Sequence, residues 1–215
     1  MKNNTWRLLA LTVALFIGGT AAADMVVFEL DTEFSGAYPP EGTGPWLRAT
    51  FDDGGSDLTL TLESLLTGDG EHVKIWDFNL DPLLDPTLLD FTYAGSSTGP
   101  AASISTGVNA FKADGDGLYD IQFDWGDPSE FTAGEVVEYT IDSPETLTAS
   151  SFSFLSAPAG GHGPFLTAAH VGGVGDEDQY SGWITGEQVI VPVPGAALLG
   201  MVGIGLVGAF RKRFV

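Results

Sequence analysis

The sequence predicts an all-β protein: an antiparallel, jelly-roll-like β-sandwich between an N-terminal signal peptide and a C-terminal transmembrane helix. The first observation is a period of two among the apolar residues, which is typical of strands with one buried face. Residues 118–125 show it most clearly, because Tyr119, Ile121, Phe123 and Trp125 alternate with polar residues. The second observation is that Gly, Asp and Pro turn signals separate many short apolar segments. Such spacing favours a sandwich, since no long segment between the two ends has helical spacing.

The same alternation predicts each strand in turn. Leu58, Leu60 and Leu62, for example, share one face of their segment, with threonines on the other face. The predicted strands are residues 25–30, 46–52, 56–63, 73–80, 89–93, 118–125, 135–142, 151–154, 168–171 and 180–185. Short helical turns are predicted at residues 83–88 and 145–149. Because no segment repeats at a fixed period, propellers and solenoids are disfavoured.

Residues 1–23 have the three parts of a secretory signal peptide. Two basic residues form its positively charged start, residues 8–17 are its apolar segment, and Ala21 and Ala23 are the small residues before a cleavage site. We therefore predict cleavage between Ala23 and Asp24, where the chain becomes abruptly polar. An N-terminal anchor that stays attached is the alternative.

The C-terminal residues form a second three-part pattern. It consists of the proline motif Val191, Pro192, Val193, Pro194 and Gly195, the apolar residues 196–210, and the basic tail 211–215 with Arg211, Lys212 and Arg213. The prolines hold the motif extended, which suits recognition by a protease. As a helix the apolar part would be about 23 Å long, short of the ~30 Å hydrocarbon core, so flanking residues must help it to span. The basic residues would stay in the cytoplasm, which leaves the bulk of the chain outside.

This tail resembles a PEP-CTERM protein-sorting signal, in which a Pro-Glu-Pro motif precedes a short transmembrane helix and a basic end. Pro192 and Pro194 match the two prolines, whereas Val193 stands where the family usually has Glu. The resemblance implies insertion into the bacterial inner membrane, processing by an exosortase-like transpeptidase, and passage to the cell surface or the extracellular polysaccharide. A membrane anchor that is never processed is the alternative. Residues 109–121, 131–135, 152–158 and 168–171 also resemble stretches of exported PEP-CTERM proteins of unassigned activity, and this resemblance brings no catalytic residue.

The charge balance restricts what the exported domain, residues 24–190, can bind. The chain has 8 basic and 29 acidic residues, a net charge of −21. The domain keeps all 29 acids but only three basic residues, Arg48, Lys74 and Lys112, which is a balance of −26. Nucleic acid would be repelled, and an acidic, soluble surface in an extracellular matrix is favoured. Since the chain has no cysteine, the domain depends on its core without disulfides.

One acidic stretch, in which Asp114, Asp116 and Asp120 stand among glycines, has the composition of a calcium site. Carboxylates separated by glycine can converge with backbone carbonyls on a hard cation. The EF-hand pattern fails, however, because Leu118 occupies the position of the third ligand. A tight hairpin turn is the alternative, since Asp-Gly is a strong turn signal. The three aspartates are the candidate calcium ligands, and no other cofactor is predicted.

The predicted function is that of a non-enzymatic, exported protein of the cell surface or extracellular matrix. His72, His162 and His170 are widely separated in the sequence, so a zinc site is not predicted. Without cysteine or a Gly-x-Ser-x-Gly motif, neither a thiol enzyme nor an α/β-hydrolase is indicated.

Two alternative functions stay open. A carbohydrate-binding module would stack sugars on Trp46, Trp76 or Trp183, although each of these rings could instead fill the core. A secreted hydrolase would need two carboxylates at a set distance in a cleft, which a sequence with so many acids cannot test.

Overall fold

The computed structural model describes residues 25–36, 38–114, 116–126, 129–175 and 179–189. Over these residues the chain forms eleven antiparallel strands and two short 3-10 helices. The predicted all-β, antiparallel class is therefore confirmed. The predicted signal peptide and C-terminal helix fall outside the described residues.

The strands occupy most of the described chain. They are β1 (Met25–Gly36), β2 (Leu47–Asp52), β3 (Leu58–Ser64), β4 (His72–Phe78), β5 (Asp90–Tyr93), β6 (Ser103–Ala113), β7 (Asp116–Asp124), β8 (Phe131–Thr132), β9 (Val136–Asp142), β10 (Thr167–Val174) and β11 (Tyr180–Val189). The 3-10 helices are Pro86–Leu88, between β4 and β5, and Ala149–Phe152, between β9 and β10. The first of these confirms the helical turn predicted within residues 83–88.

All of these strands belong to one antiparallel sheet. Its order is β5-β9-β3-β2-β1-β11-β10-β4-β7-β6, and β8 pairs with β4 beside this path. β1 and β11, the first and last strands along the chain, are neighbours in the middle of the sheet, where Val27 lies opposite Val189. Because the pairing forms one continuous sheet, the finer division into the two layers of a jelly-roll-like sandwich stays a prediction.

The sheet curls until its two edge strands, β5 and β6, face each other, so that it is nearly closed. Phe91 on β5 contacts Phe123 on β7, with ring centroids 5.4 Å apart. The backbone N–H of Ala102, just before β6, donates a 2.8 Å hydrogen bond to the hydroxyl of Tyr139 on β9. β5 and β6 do not pair with each other, and residues of both strands line a cleft between them, so the closure is incomplete.

The inside of the curled sheet is one hydrophobic core rich in aromatic rings. Phe123 contacts Phe78, Phe91 and Tyr139, at centroid distances of 5.8, 5.4 and 5.3 Å. Two of these partners lie at the opposite end of the sheet order, on β5 and β9. Since each buried aromatic ring removes roughly 150–250 Å² from water, such contacts hold the curled sheet closed.

The hairpin of β6 and β7 continues past the core and covers part of the outer face of the sheet. Ala113 from β6 and Tyr119 from β7 form a second buried cluster with Ala168, whose neighbour Ala169 points into the main core. Three partly buried rings pack against this cluster: Phe34, Phe111 and Trp183. Tyr119 is therefore buried as its alternation predicts, but in a different cluster from Ile121, Phe123 and Trp125.

The prediction of a strand at residues 151–154 is wrong, because Ala149–Phe152 forms a 3-10 helix. The backbone N–H of Thr148 donates to the Ser151 hydroxyl at 3.1 Å, which stabilises the start of this helix. The helical turn predicted at residues 145–149 therefore overlaps the observed helix only at residue 149. The alternating Ser and Phe residues imitate a strand, since a period of two over so short a segment does not exclude a tight helix.

The sequence prediction also misses two strands, β6 and β8. The side chains of β6 are mostly exposed or half-buried, so no apolar alternation marks this strand. Its position is set by pairing with β7, and β8 is only a two-residue strand that pairs with β4. Backbone pairing with a distant strand leaves no local signal in the sequence.

Replacing Phe123 with alanine should lower the free energy of unfolding by about 3–5 kcal/mol, because it leaves a cavity where the two halves of the sheet meet. Chemical denaturation of the wild-type and variant chains measures this change. Leu83→Ala is the control, since Leu83 is 89% exposed, and its effect should stay within about 0.5 kcal/mol. Equal effects of the two substitutions would contradict the assigned core.

Candidate functional site

The predicted cleavage and sorting residues all lie outside the described residues. They are Ala21, Ala23 and Asp24 near the N-terminus, and Val191, Pro192, Val193, Pro194, Gly195, Arg211, Lys212 and Arg213 near the C-terminus. In the part of the chain that the structure describes, no helix has both the length and the apolar character needed to cross a membrane. The sorting signal therefore stays a prediction from the sequence.

The first two candidate calcium ligands, Asp114 and Asp116, lie at the turn between β6 and β7. Asp114 has a positive φ of 42°, as tight hairpin turns require, and its carboxylate accepts a hydrogen bond from the Ser35 hydroxyl. The backbone of Asp116 begins β7, and its side chain is outside what the structure describes. The hairpin-turn interpretation of this segment is confirmed.

The third candidate, Asp120, stabilises an irregular part of the same hairpin. One carboxylate oxygen accepts from the backbone N–H of Asn109 at 2.8 Å, and the other accepts from that of Leu80 at 3.0 Å. Asn109 itself has a positive φ of 50° and lies where the pairing of β6 with β7 is interrupted. Among the described residues no three His, Asp or Glu side chains lie close enough to hold a metal ion. A calcium site at the three aspartates stays a prediction.

The tryptophans named as possible sugar platforms do not present open rings. Trp46 and Trp76 are buried, and their indole N–H groups donate to the Glu41 carbonyl at 3.2 Å and the Thr167 hydroxyl at 2.9 Å. Trp183 is half-buried, and the imidazole of His170 stacks on it with centroids 4.9 Å apart and an interplanar angle of 8°. The core interpretation of Trp46 and Trp76 is confirmed.

Two of the three histidines, His72 and His170, line one cleft of about 330 Å³ together with Lys74. Burial lowers the pKa of His170, and the nearby Lys74 ammonium lowers it further, so its ring is neutral at neutral pH. The carboxylates of Glu130 and Asp124 line the same cleft. This mixture of opposite charges leaves no net attraction for an anion in a domain that is already strongly acidic.

A second cleft, of about 340 Å³, lies at the end of the sheet where the β1–β2 and β3–β4 connections meet β10. Its lining combines an aromatic ring, carboxylates and glycines: Tyr38, Pro39, Glu41, Gly68, Asp69, Glu71, Gly173 and Gly175. We call it the tyrosine cleft, because Tyr38 and the adjoining Tyr180 form its aromatic rim. No Lys, Arg or His is among its described lining residues.

Glu71 joins the two connections that form the tyrosine cleft. It is only 3% exposed, and its two carboxylate oxygens accept from the backbone N–H groups of Glu41 at 2.6 Å and Gly68 at 3.0 Å. Hydrogen bonds to a charged acceptor are stronger than neutral ones, so this carboxylate holds both loops in place. The shape of the cleft therefore exists before any ligand binds.

Tyr38 and Tyr180 form a pair of exposed aromatic rings at the rim of this cleft. Their centroids are 4.9 Å apart with an interplanar angle of 58°, and they are 45% and 43% exposed. Gly175 lies beneath both rings, because a Cβ there would meet ring carbons at 2.9 and 3.1 Å. The backbone φ of Gly175 is +78°, which favours glycine independently of this contact.

Sequence reasoning does not find the tyrosine cleft. Tyr38 follows β1, whereas Tyr180 begins β11, and their contact arises only because β1 and β11 pair. The one local signal is the glycine-rich segment after β3, which predicts a turn but not that Glu71 bonds to a distant loop.

No protein-family model matches this chain, and searches of curated proteins and of solved structures found no match either.

Asp77 is a buried acid outside both clefts, on β4 between β10 and β7. One of its oxygens accepts from the Gln122 amide at 3.1 Å, and the other has no hydrogen-bond partner among the described residues. Burial raises the pKa of Asp77 to about 7, and the Asp124 carboxylate contributes to this increase. The folded chain therefore retains a proton that the unfolded chain has released above pH 4.

We expect Asp77 to make stability fall as the pH rises. The stabilising contribution of the protonated carboxyl is complete below about pH 4 and is lost as the pH passes through 7. Asp77→Asn stays neutral, so the difference in unfolding free energy between variant and wild type should grow by up to about 4 kcal/mol from pH 4 to pH 8. Urea denaturation at each pH measures it, and a difference that does not change with pH would refute the assignment.

Glu71→Ala should lower the free energy of unfolding by about 2–4 kcal/mol, because it leaves two N–H groups without their charged acceptor. Asp69→Asn is the matched control in the same cleft. Its side chain is exposed, so its effect should stay within about 0.5 kcal/mol. Thermal denaturation compares the two variants, and an alanine variant as stable as the control would exclude the role given to Glu71.

Proposed function

We propose that this protein is exported, held briefly in the inner membrane by its C-terminal apolar segment, and then processed by an exosortase-like transpeptidase. The product is a non-enzymatic protein of the cell surface or extracellular polysaccharide matrix. The observation that carries this proposal is the pair of terminal patterns, a signal peptide at residues 1–23 and a proline motif, apolar segment and basic tail at residues 191–215.

The position of the described strands supports this arrangement. β1 begins at Met25, directly after the predicted cleavage site, and β11 ends at Val189, just before the proline motif. Val27 and Val189 pair across these two strands, so both ends leave the sheet on the same side. A cut in the tail, beyond Val189, would spare the described strands.

We further propose that the nearly closed sheet is a flattened, jelly-roll-like sandwich. Contacts across the core between strands that are distant in the sheet order support this interpretation. Phe51 on β2 packs against Phe78 on β4 at 5.5 Å, and Phe123 on β7 packs against Tyr139 on β9 at 5.3 Å. Two halves of one sheet that share such a core resemble the layers of a sandwich.

Mass spectrometry of the protein recovered outside the cells tests the processing step. We expect the mature chain to begin at Asp24 and to lack the apolar segment, residues 196–210. Changing both Pro192 and Pro194 to alanine should leave the chain in the membrane fraction, because the motif is no longer held extended. Pro144→Ala, at an exposed turn of the domain, is the control and should be released normally. Extracellular protein that still ends at Val215 would contradict the proposal.

A further inference from the structure

We propose that the tyrosine cleft is a binding site for a saccharide chain that carries no anionic groups. This goes beyond the proposed function, because export and sorting say nothing about a ligand. The proposal rests on the exposed ring pair beside the cleft, on the cleft itself, and on its polar lining.

The rings of Tyr38 and Tyr180 are the surfaces that a sugar would contact. The exposed face of an aromatic ring packs against the apolar C–H face of a pyranose, as it does against other apolar groups. Most large aromatic rings of this domain are buried, yet these two remain about half exposed while in contact with each other. Among the described residues, no hydrogen bond involves the hydroxyl of Tyr38 or of Tyr180. A phenol hydroxyl can both donate a hydrogen bond to a sugar hydroxyl and accept one from it.

The carboxylates of the cleft suit the hydroxyl groups of a sugar. Glu41 and Asp69 are exposed residues on its wall, and a carboxylate accepts hydrogen bonds from hydroxyl donors. Glu71 is buried and each of its oxygens accepts a backbone N–H, so its role is to hold the loops. A sugar lying on the tyrosines would thus find acceptors beside it in a site that is already formed.

The same charges exclude anionic sugars. The cleft has three carboxylates and no basic residue among its described lining, and the whole domain has a balance of −26. Lys74 lies in the other cleft, and Arg48 is already paired with Glu29 at 2.7 Å. A uronate or sulfated chain would meet repulsion without a compensating cation, whereas an uncharged chain would not.

The size and rigidity of the tyrosine cleft also fit a small part of a longer chain. Its volume of about 340 Å³ is at the lower end of the range for small-molecule sites, about 300–1,000 Å³. Tyr38 and Tyr180 at its rim are each nearly half exposed, so a sugar bound there can belong to a longer chain that continues into solvent. A proline-rich peptide could also stack on tyrosines, but it has few donors for the carboxylates of the wall, and the saccharide is therefore favoured.

Calorimetric titration of the full-length chain tests the proposal. The protein is purified in a polyoxyethylene detergent, which contains no sugar that could compete. The probes are neutral oligosaccharides built of glucose, N-acetylglucosamine or mannose, an oligogalacturonate of equal length, and a proline-rich peptide. We expect at least one neutral oligosaccharide to bind, and the oligogalacturonate to bind at least about tenfold more weakly.

Three variants locate the binding. Tyr38→Ala and Tyr180→Ala should each weaken the affinity about tenfold or more, because each removes one stacking surface. Asp69→Asn should weaken it several-fold without affecting the fold, since this side chain is exposed. Tyr93→Ala is the matched control, because Tyr93 is also a partly exposed tyrosine, 38% exposed, but lies on β5. Its affinity should equal that of the wild type.

Several results would overturn the proposal. They are no binding of any neutral oligosaccharide at about 1 mM, equal binding of the oligogalacturonate, or binding of the peptide alone. Binding that survives all three cleft variants would place the sugar elsewhere and reject the site. If a tyrosine variant fails to fold by circular dichroism, Asp69→Asn decides, because unchanged affinity in that variant contradicts the proposed contact with Asp69. None of these results depends on whether the C-terminal tail is processed.

Discussion

The aromatic core that closes the sheet is the interaction on which the rest of the structure depends. The chain has no cysteine, so no covalent link can hold the curled sheet together. Its 29 acids repel one another, and the closed form therefore depends on apolar burial. Phe123 is central to this burial, because its ring contacts rings on β4, β5 and β9. These contacts bring the two ends of the sheet order together, so that β5 and β6 line one cleft.

The tyrosine cleft depends on strand pairing in the middle of the same sheet. The pairing of β1 with β11 brings Tyr38 and Tyr180 into contact, and Gly175 gives them room. Glu71 then joins the neighbouring loops by accepting two backbone N–H bonds. A buried carboxylate with both oxygens satisfied stabilises local structure, whereas an exposed one is available to a ligand. The acids of the cleft therefore divide into one that builds the site and two that can contact what binds there.

The strands with one buried face could be predicted because alternation reports burial directly. Leu58, Leu60 and Leu62 are all buried, as are Ile121 and Phe123. The exposed strand β6 could not be predicted, since its side chains carry no such pattern and only pairing with β7 defines it. The segment that ends in the 3-10 helix Ala149–Phe152 misled the prediction, because a few alternating residues are compatible with both structures. Of the candidate site residues, Asp120 accepts a hydrogen bond from the β6 backbone within the β6–β7 hairpin, whereas Asp114 accepts one from Ser35 on β1.

The sequence by itself determined the all-β class, the most strongly alternating strands, the absence of disulfides and the acidity of the domain. Each of these follows from composition or from near neighbours in the chain, where the spacing of residues is enough. Only the tertiary structure decided the nearly closed sheet, the outer cluster around Tyr119 and the pairing of Tyr38 with Tyr180. These features join residues that are far apart in the chain, and their contacts arise from strand pairing and side-chain packing, which local patterns do not encode.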